Sequence, residues 1–214
     1  MAKRDLEDRL QRARSWIAAS DQLSGQQWHE RFLFLYIALN ALYGRRQYEG
    51  DRTDVREDLD RFVSQLKQMN DANARSGKGL ILVAVRRCGN HLDALLLDYF
   101  LQDDLFRDVQ REKLVRRCRR ELLEAKMKLL TGDPLAAVAH ALRRLTVLRN
   151  RVMHGCVTYG ETSKGPPSIV KGTRVAAVLV PAFIELVAAY GSQIRWQPIP
   201  YPRVGFEDPQ ERLD

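Results

Sequence analysis

The sequence predicts an all-α protein: an up-and-down bundle of about five to seven helices with an irregular C-terminal tail. Apolar residues recur at three- and four-residue steps along most of the chain, which is the period of one buried helix face. Gly, Pro and polar clusters separate these segments. With 214 residues, 45% of them hydrophobic, the chain is long enough to bury one core. We expect a helical domain over residues 1–196 and an extended, proline-rich arm over 197–214, lying over the bundle or over a second subunit.

The first two helices are predicted over residues 5–19 and 25–43. Ser24, with Gln27 three residues later, is a capping-box signature that predicts the start of the second helix. From Phe32 onward this helix is apolar on nearly all sides, and such a helix belongs at the centre of a bundle.

Asn40, His29 and Glu30 are the polar residues of the second helix that could support a site. Asn40 interrupts the apolar segment, and a buried amide there would need hydrogen-bond partners on the helix that carries the motif described below. Two interpretations stay open for Asn40: a core amide that fixes the packing register, and a site residue. His29 and Glu30 begin the same helix and could face the same motif.

The middle and the end of the chain alternate between helical periodicity and turn-rich composition. The predicted segments are a polar loop at 44–53, a helix at 54–69, a loop at 70–79, one or two helices at 80–101 bent near Gly89, a basic helix at 106–130, a helix at 133–154, a loop at 156–172, and a last helix at 173–190 that Pro181 kinks or splits.

Basic residues dominate the helix predicted over 106–130. A run of this kind is either a solvated helix face or a track for the backbone of RNA. The formal net charge of the chain is +8, which favours an anionic partner such as RNA, DNA or an acidic protein. The candidates for contact with an RNA backbone are Arg116, Arg117, Arg119, Arg120 and, in the next helix, Arg151.

The helix predicted over 133–154 has clear start and stop signals. Asp133 is a good N-cap, and Pro134 suits the first helical position because its missing N–H would be unbonded there. Gly155 supplies the stop. Between them, apolar residues at helical spacing form one stripe that we expect to be buried: Leu135, Val138, Leu142, Leu145 and Val152.

Arg149, Asn150 and His154 lie at the end of this helix. At 100° per residue Arg149 falls in the middle of the apolar stripe, where a guanidinium is costly unless it is paired or opens onto a cleft. Asn150 precedes His154 by four residues, so the two share one side of the helix. Basic residues and His also occur in last turns simply because they complement the helix dipole. The other interpretation is a site for chemistry or for a partner.

The residues Arg149-Asn150-Arg151-Val152-Met153-His154 match the Arg-Asn-x-x-x-His form of the R-x(4–6)-H motif of HEPN domains, and the chain resembles that family. HEPN domains are small all-α domains of bacterial toxins, phage-defence systems and RNases. The apolar segment over 32–44 is similar to the second helix of some HEPN proteins. As an architecture the resemblance covers residues 5–190.

The resemblance implies a metal-independent endoribonuclease that needs no cofactor and acts as a homodimer with paired motifs, in a toxin or a phage-defence effector. RNA would be the substrate, and an antitoxin or another defence-system protein would be a further partner. The catalytic residues would be Arg149, His154 and Asn150. Some HEPN toxins carry a Tyr two residues after the His, and a partner protein modifies that Tyr. This chain has Cys156 at the same position. The alternative is a non-catalytic HEPN-like module that binds nucleic acid or a protein.

Other chemistries have weaker support. Cys88 and His91 have metal-like spacing, but no second short cluster accompanies them, and His91 is expected to be packed on an apolar helix. No Gly-x-Ser-x-Gly elbow and no carboxylate cluster for magnesium is present. Cys88, Cys118 and Cys156 are expected to be reduced thiols of a cytoplasmic protein. We expect no signal peptide, because the N-terminus leads directly into an amphipathic, charged helix. We also expect no contact with a membrane, because the longest apolar run, 32–43, is too short to span a bilayer.

Overall fold

A computed structural model describes residues 2–44, 55–75, 79–102, 110–157 and 167–196. The described residues form seven α-helices and two short 3-10 helices, at Tyr99–Leu101 and Gly191–Gln193, which confirms the predicted all-α bundle. The α-helices are α1 (Ala2–Asp21), α2 (Trp28–Tyr43), α3 (Val55–Arg75), α4 (Leu80–Leu96), α5 (Arg111–Leu130), α6 (Leu135–Met153) and α7 (Pro167–Tyr190). The C-terminal arm at 197–214, most of the predicted loops at 44–53 and 156–172, and the predicted start of the basic helix at 106–109 lie outside the described residues.

Helices α6 and α7 form the centre of the bundle. Helix α7 packs against α1, α2, α3, α4 and α6, while α6 packs against α2, α3, α4, α5 and α7. From Leu135 to Leu148 the buried residues of α6 surround the helix axis on nearly every side. Apart from Arg143, which is also exposed, the residues of α6 that reach the surface lie beyond Leu148.

Several helix ends meet at one end of the bundle. Asp98, which follows α4, accepts hydrogen bonds from Ser168 at 2.7 Å and from Lys171 at 3.1 Å in the first turns of α7. The Thr173 hydroxyl donates to the carbonyl of Trp28, the first residue of α2, at 3.3 Å. Arg151, in the last turn of α6, is close enough to Asp98 for that carboxylate to influence its pKa. We call this end of the molecule the motif end, because α6 terminates there.

Helices α5 and α6 form an antiparallel hairpin joined by a turn at 131–134. Arg144 pairs with Glu121, and His140 lies 3.4 Å from Glu124. Because the two helices are antiparallel, the same pairing extends toward the start of α5 and the end of α6. It places Arg116 level with Arg149. The start of α5, which carries many of its cations, therefore lies at the motif end.

Gln110 precedes α5 and is not helical, although the predicted basic helix included it. Three other predicted helix boundaries are also wrong. Helix α2 begins at Trp28 and not at 25, because the side-chain oxygen of Gln27 accepts from the backbone and hydroxyl of Ser24 within a turn that precedes the helix. Helix α3 runs on to Arg75, where a loop was expected, and Asn73 Oδ1 accepts from the first N–H of α4 at 2.8 Å. The polar residues after residue 69 therefore continue α3, and one of them, Asn73, caps the start of α4.

The third error concerns α7, which begins at Pro167 and not at 173 because Ile169 and Gly172 are already buried in the core. Pro181 was predicted to kink or split this helix; α7 continues through Pro181 as one helix, so of these two outcomes the split does not occur. The bend predicted near Gly89 is confirmed: this residue has φ 48° and ψ −131° inside α4, a left-handed conformation that Gly adopts without strain.

The segment Pro167–Gln193 is long and apolar enough to cross a membrane by composition, contrary to the expectation that no segment qualifies. Half of its most apolar window is buried inside the bundle, and a core helix has the same length and composition.

Candidate functional site

The helix that carries the motif starts and stops as predicted. Asp133 Oδ1 accepts from the backbone N–H of Leu135 at 2.9 Å, and Pro134 between them already has helical dihedrals, so Asp133 acts as the cap. At the other end Gly155 has φ 68°. The N–H groups of Gly155 and Cys156 donate to the carbonyls of Val152 and Arg151 at 3.2 and 2.8 Å, which is the Schellman arrangement. His154 is therefore held at a sharply defined helix end.

Arg149 is exposed, so the prediction that it lies within the buried stripe was wrong. The stripe itself is buried at Leu135, Val138, Leu142 and Leu145, and Val152 is half-buried. The helical angle of Arg149 is that of a core position, but the residue lies in the part of α6 that leaves the core after Leu148. An angle computed from sequence takes no account of where the neighbouring helices end.

Two neighbours hold the Arg149 guanidinium. Its Nη1 donates to Oδ1 of Asn150 at 3.0 Å, and its Cζ lies 5.8 Å from the centre of the Tyr36 ring on α2. A cation at this distance from an aromatic ring is attracted to the ring. Because Arg149 is exposed, these two supports position its guanidinium while its remaining N–H groups can reach a ligand.

A row of hydroxyl groups fixes Tyr36 beneath Arg149. The Tyr36 hydroxyl lies 3.1 Å from the hydroxyls of both Tyr43 and Thr146, and Thr146 also donates to the carbonyl of Leu142 at 2.9 Å. Burial raises the pKa of Tyr43 well above its usual range, the nearby Tyr36 adds to the shift, and Arg149 opposes it. Tyr43 is therefore neutral at physiological pH. Neither tyrosine was predicted as a site residue, although their seven-residue spacing on an apolar helix is the pattern that indicates them.

Asn150 and His154 are both exposed at the motif end. The backbone N–H of His154 donates to the carbonyl of Asn150 at 2.9 Å, and the Asn150 side chain accepts from Arg149. The three predicted catalytic residues thus share one open helix terminus, with Asn150 oriented by Arg149.

Asn40 is exposed, so the expectation of a buried amide was wrong. It follows Tyr36 by one turn and precedes Tyr43 by one turn, which places it on the edge of α2 that carries both tyrosines. His29 is 7% exposed and Glu30 is half-buried, both in the first turn of α2 at the motif end. Of the three, only Asn40 presents an open surface.

The predicted RNA-backbone residues differ in their surroundings. Arg116, Arg119 and Arg120 are exposed on α5, whereas Arg117 is half-buried. Arg151 is half-buried as well; burial lowers its pKa, and Asp98 opposes the shift. Arg151 therefore belongs partly to the interior of the motif end, while the exposed α5 arginines remain accessible.

The buried arginine of α6 is Arg144, which was not among the residues predicted to matter. It is 4% exposed, is ion-paired with Glu121 of α5, and donates weakly to the carbonyl of Leu96 at 3.5 Å. A second apolar row could have revealed it, because Ala137, Ala141 and Leu148 are spaced around Arg144 at helical steps and all three are buried.

Among the described residues, no group of three or more His, Cys, Asp or Glu side chains is placed to hold a metal ion. Cys88 is buried, which raises the pKa of its thiol to about 12, and His91 is exposed beyond the bend at Gly89, not packed as expected. Cys118 is buried and Cys156 is exposed, and all three cysteines are free thiols.

No protein-family model, no curated protein and no solved structure matches the chain.

Proposed function

We propose that the protein is a metal-independent endoribonuclease of the HEPN type, acting as a homodimer through paired Arg149–His154 motifs. The observation that carries this proposal is the exposure of Arg149, Asn150 and His154 together at one helix terminus. A motif buried in ion pairs would favour the alternative, a non-catalytic module. Here the guanidinium is held by Asn150 and the Tyr36 ring and remains accessible.

The chemistry proposed for this site is transesterification of RNA. The 2′-hydroxyl of a nucleotide attacks the adjacent phosphorus, the P–O2′ bond forms and the P–O5′ bond breaks, which leaves a 2′,3′-cyclic phosphate and a 5′-hydroxyl. A His154 imidazole takes the proton from the 2′-hydroxyl or donates one to the leaving 5′-oxygen, since imidazole titrates near neutral pH. Arg149 donates to the phosphate oxygens as negative charge increases in the transition state.

A homodimer supplies what one motif lacks. A single imidazole cannot easily act as base and acid on the same phosphate at once, whereas two motifs related by a two-fold axis provide one of each. Met153, next to His154, is 59% exposed, and an apolar side chain in that position suits a subunit contact. Pairing the motif ends would also bring the two basic α5 helices together, which strengthens the field that attracts RNA.

The cellular role we propose is that of a toxin or phage-defence effector in the cytoplasm, regulated by an antitoxin or another defence-system protein. The net charge of +8 favours RNA as the anionic ligand, and Arg119 is an exposed cation of α5 that can contact its backbone.

RNA cleavage in the presence of EDTA tests the proposal. Purified wild-type protein is expected to cut single-stranded RNA and to leave 2′,3′-cyclic phosphate ends. His154→Ala and Arg149→Ala should each reduce the rate by roughly 100-fold or more, as expected when a catalytic acid–base or oxyanion-stabilising group is lost.

Two matched controls separate catalysis from folding. His91→Ala removes another exposed histidine, on α4, and Arg143→Ala removes another exposed arginine of α6. Both should keep full activity, and far-UV circular dichroism should be unchanged in all four variants. If His154→Ala cleaves as fast as wild type, or if wild type cleaves none of the RNAs tried, the ribonuclease proposal is wrong. Absence of cleavage together with RNA binding that depends on Arg149 would favour the non-catalytic module.

A further inference from the structure

The solvent face of α5 has a feature that the proposed ribonuclease site does not use. Leu123, Met127 and Leu130 are 62%, 58% and 82% exposed, and their spacing of four and three residues places them in one line. The opposite face of the helix, with Leu114, Cys118 and Ala125, supplies the buried contacts of α5. The exposed leucines and methionine therefore lie on the side of α5 that faces away from the bundle core.

The same line continues toward the start of α5 as positive charge. Lys113, Arg116 and Arg120 extend the alternation of three- and four-residue steps, and all three are exposed. The full series, which we call the α5 seam, is Lys113, Arg116, Arg120, Leu123, Met127 and Leu130. Steps that alternate between three and four residues are the spacing by which one helix contacts another in a coiled coil.

From this seam we propose that α5 binds a partner helix of complementary pattern, apolar over one half and acidic over the other. The apolar half of the partner covers Leu123, Met127 and Leu130, which removes apolar surface from water. Its acidic half lies against Lys113, Arg116 and Arg120. The ligand class is thus an acidic amphipathic helix of another protein.

Charge disfavours a second copy of this chain paired along the whole length of the seam. Two α5 helices in parallel would place Arg116 and Arg120 against their own copies, and like charges in contact are unfavourable. Two antiparallel α5 helices aligned over their full length would place the cationic half of each against the apolar half of the other. RNA, for its part, would use the cations and leave the three apolar side chains exposed.

A cavity that opens beside the seam, called the groove below, gives the partner helix a place to anchor. Between α4 and α5 lies a cavity of about 250 Å³ whose lining includes Leu122, Lys126 and Leu129 of α5 and Gly89 and Leu92 of α4. The bend at Gly89 contributes to its wall. A bulky apolar side chain of a helix seated on the seam could enter this groove from one flank.

Synthetic helical peptides of one composition test the proposal. Two block peptides carry three Leu and three Glu at alternating three- and four-residue steps, with the Leu half at either end, because the partner could run parallel or antiparallel. A third peptide has the same residues interleaved. Binding to the full-length protein is measured by fluorescence anisotropy at low and high salt. One block peptide is expected to bind at least tenfold more tightly than the interleaved one and to weaken as salt increases.

Variants of the protein then locate the binding face. The double change Leu123→Gln and Met127→Gln should weaken the block peptide about tenfold or more, and Arg116→Glu with Arg120→Glu should weaken it roughly fivefold or more. Val83→Gln serves as the control, because Val83 is also exposed, at 51%, but lies on α4. It should bind as wild type does.

Four results would overturn the proposal. The block and interleaved peptides could bind equally, or the seam variants could bind the block peptide as wild type does. Sedimentation could show that wild type self-associates and that Leu123→Gln with Met127→Gln abolishes this, which would make the seam a contact between copies. Finally, the variant with Arg116→Glu and Arg120→Glu could bind a DNA oligonucleotide more weakly than wild type does, while none of the peptides binds either protein. The seam would then be a binding surface for nucleic acid.

Discussion

Replacing Glu121 by alanine should destabilise the protein by about 3–5 kcal/mol, because it strands the buried Arg144 guanidinium. The Arg144 side chain is 4% exposed and its partner Glu121 is 16% exposed, so solvent screens this pair little. Without the carboxylate, the contacts that Arg144 keeps among the described residues are long ones, with the Leu96 carbonyl at 3.5 Å and Cys118 Sγ at 3.7 Å. An uncompensated charge in such a place is among the most costly changes a core can receive.

A double variant distinguishes the cost of an unpaired buried charge from the contribution of the Glu121–Arg144 ion pair itself. In Glu121→Ala with Arg144→Met, both charges are gone and the Met side chain occupies much of the space of the arginine stem. This double variant should recover most of the stability lost in Glu121→Ala, because a buried ion pair is often no more stable than apolar side chains of similar volume. Arg143→Ala is the control. Arg143 is exposed, lies 3.2 Å from Asp60, and should contribute about 0–1 kcal/mol.

Urea unfolding followed by far-UV circular dichroism measures these free energies. For a domain of this size, about 3–5 kcal/mol corresponds to a fall in Tm of roughly 6–20 °C. If Glu121→Ala costs no more than the Arg143→Ala control, Arg144 is not desolvated as the packing of α4, α5 and α6 requires. If the double variant is as unstable as Glu121→Ala, the loss comes from packing and not from the stranded charge.

Two further predictions concern the core beside the site. Gly172→Ala should destabilise the protein by about 1–3 kcal/mol in urea unfolding, because the added methyl group would overlap Leu148 Cδ2 and come within 3.3 Å of Phe32 Cε2; an unchanged midpoint would contradict this packing. Above pH 10 wild type should lose stability through Tyr43, since burial raises its pKa and the folded chain keeps a proton that the unfolded chain releases near pH 10. Tyr43→Phe should therefore lose stability less steeply between pH 10 and 11, by up to about 1.4 kcal/mol per pH unit, and equal slopes would refute the assignment.

Local sequence signals determined much of this protein. Hydrophobic periodicity predicted an all-α bundle, and Asp133, Pro134 and Gly155 predicted both ends of the motif helix, because caps depend on contacts within a few residues. The bend at Gly89 is confirmed for the same reason. Each of these features is decided by backbone geometry that neighbouring residues impose on one another.

Tertiary packing alone decided which polar residues are buried. Periodicity assigned Arg149 to the core and did not single out Arg144, yet Arg149 is exposed and Arg144 is buried against Glu121. Helical angle gives the direction of a side chain, but its burial depends on where the neighbouring helices end. The Tyr36 ring beneath Arg149 likewise joins residues more than a hundred positions apart, and no local pattern encodes that contact. The sequence by itself therefore determined the helices and the candidate motif. The packing of α2, α5 and α6 determined which side chains of α6 are exposed to solvent.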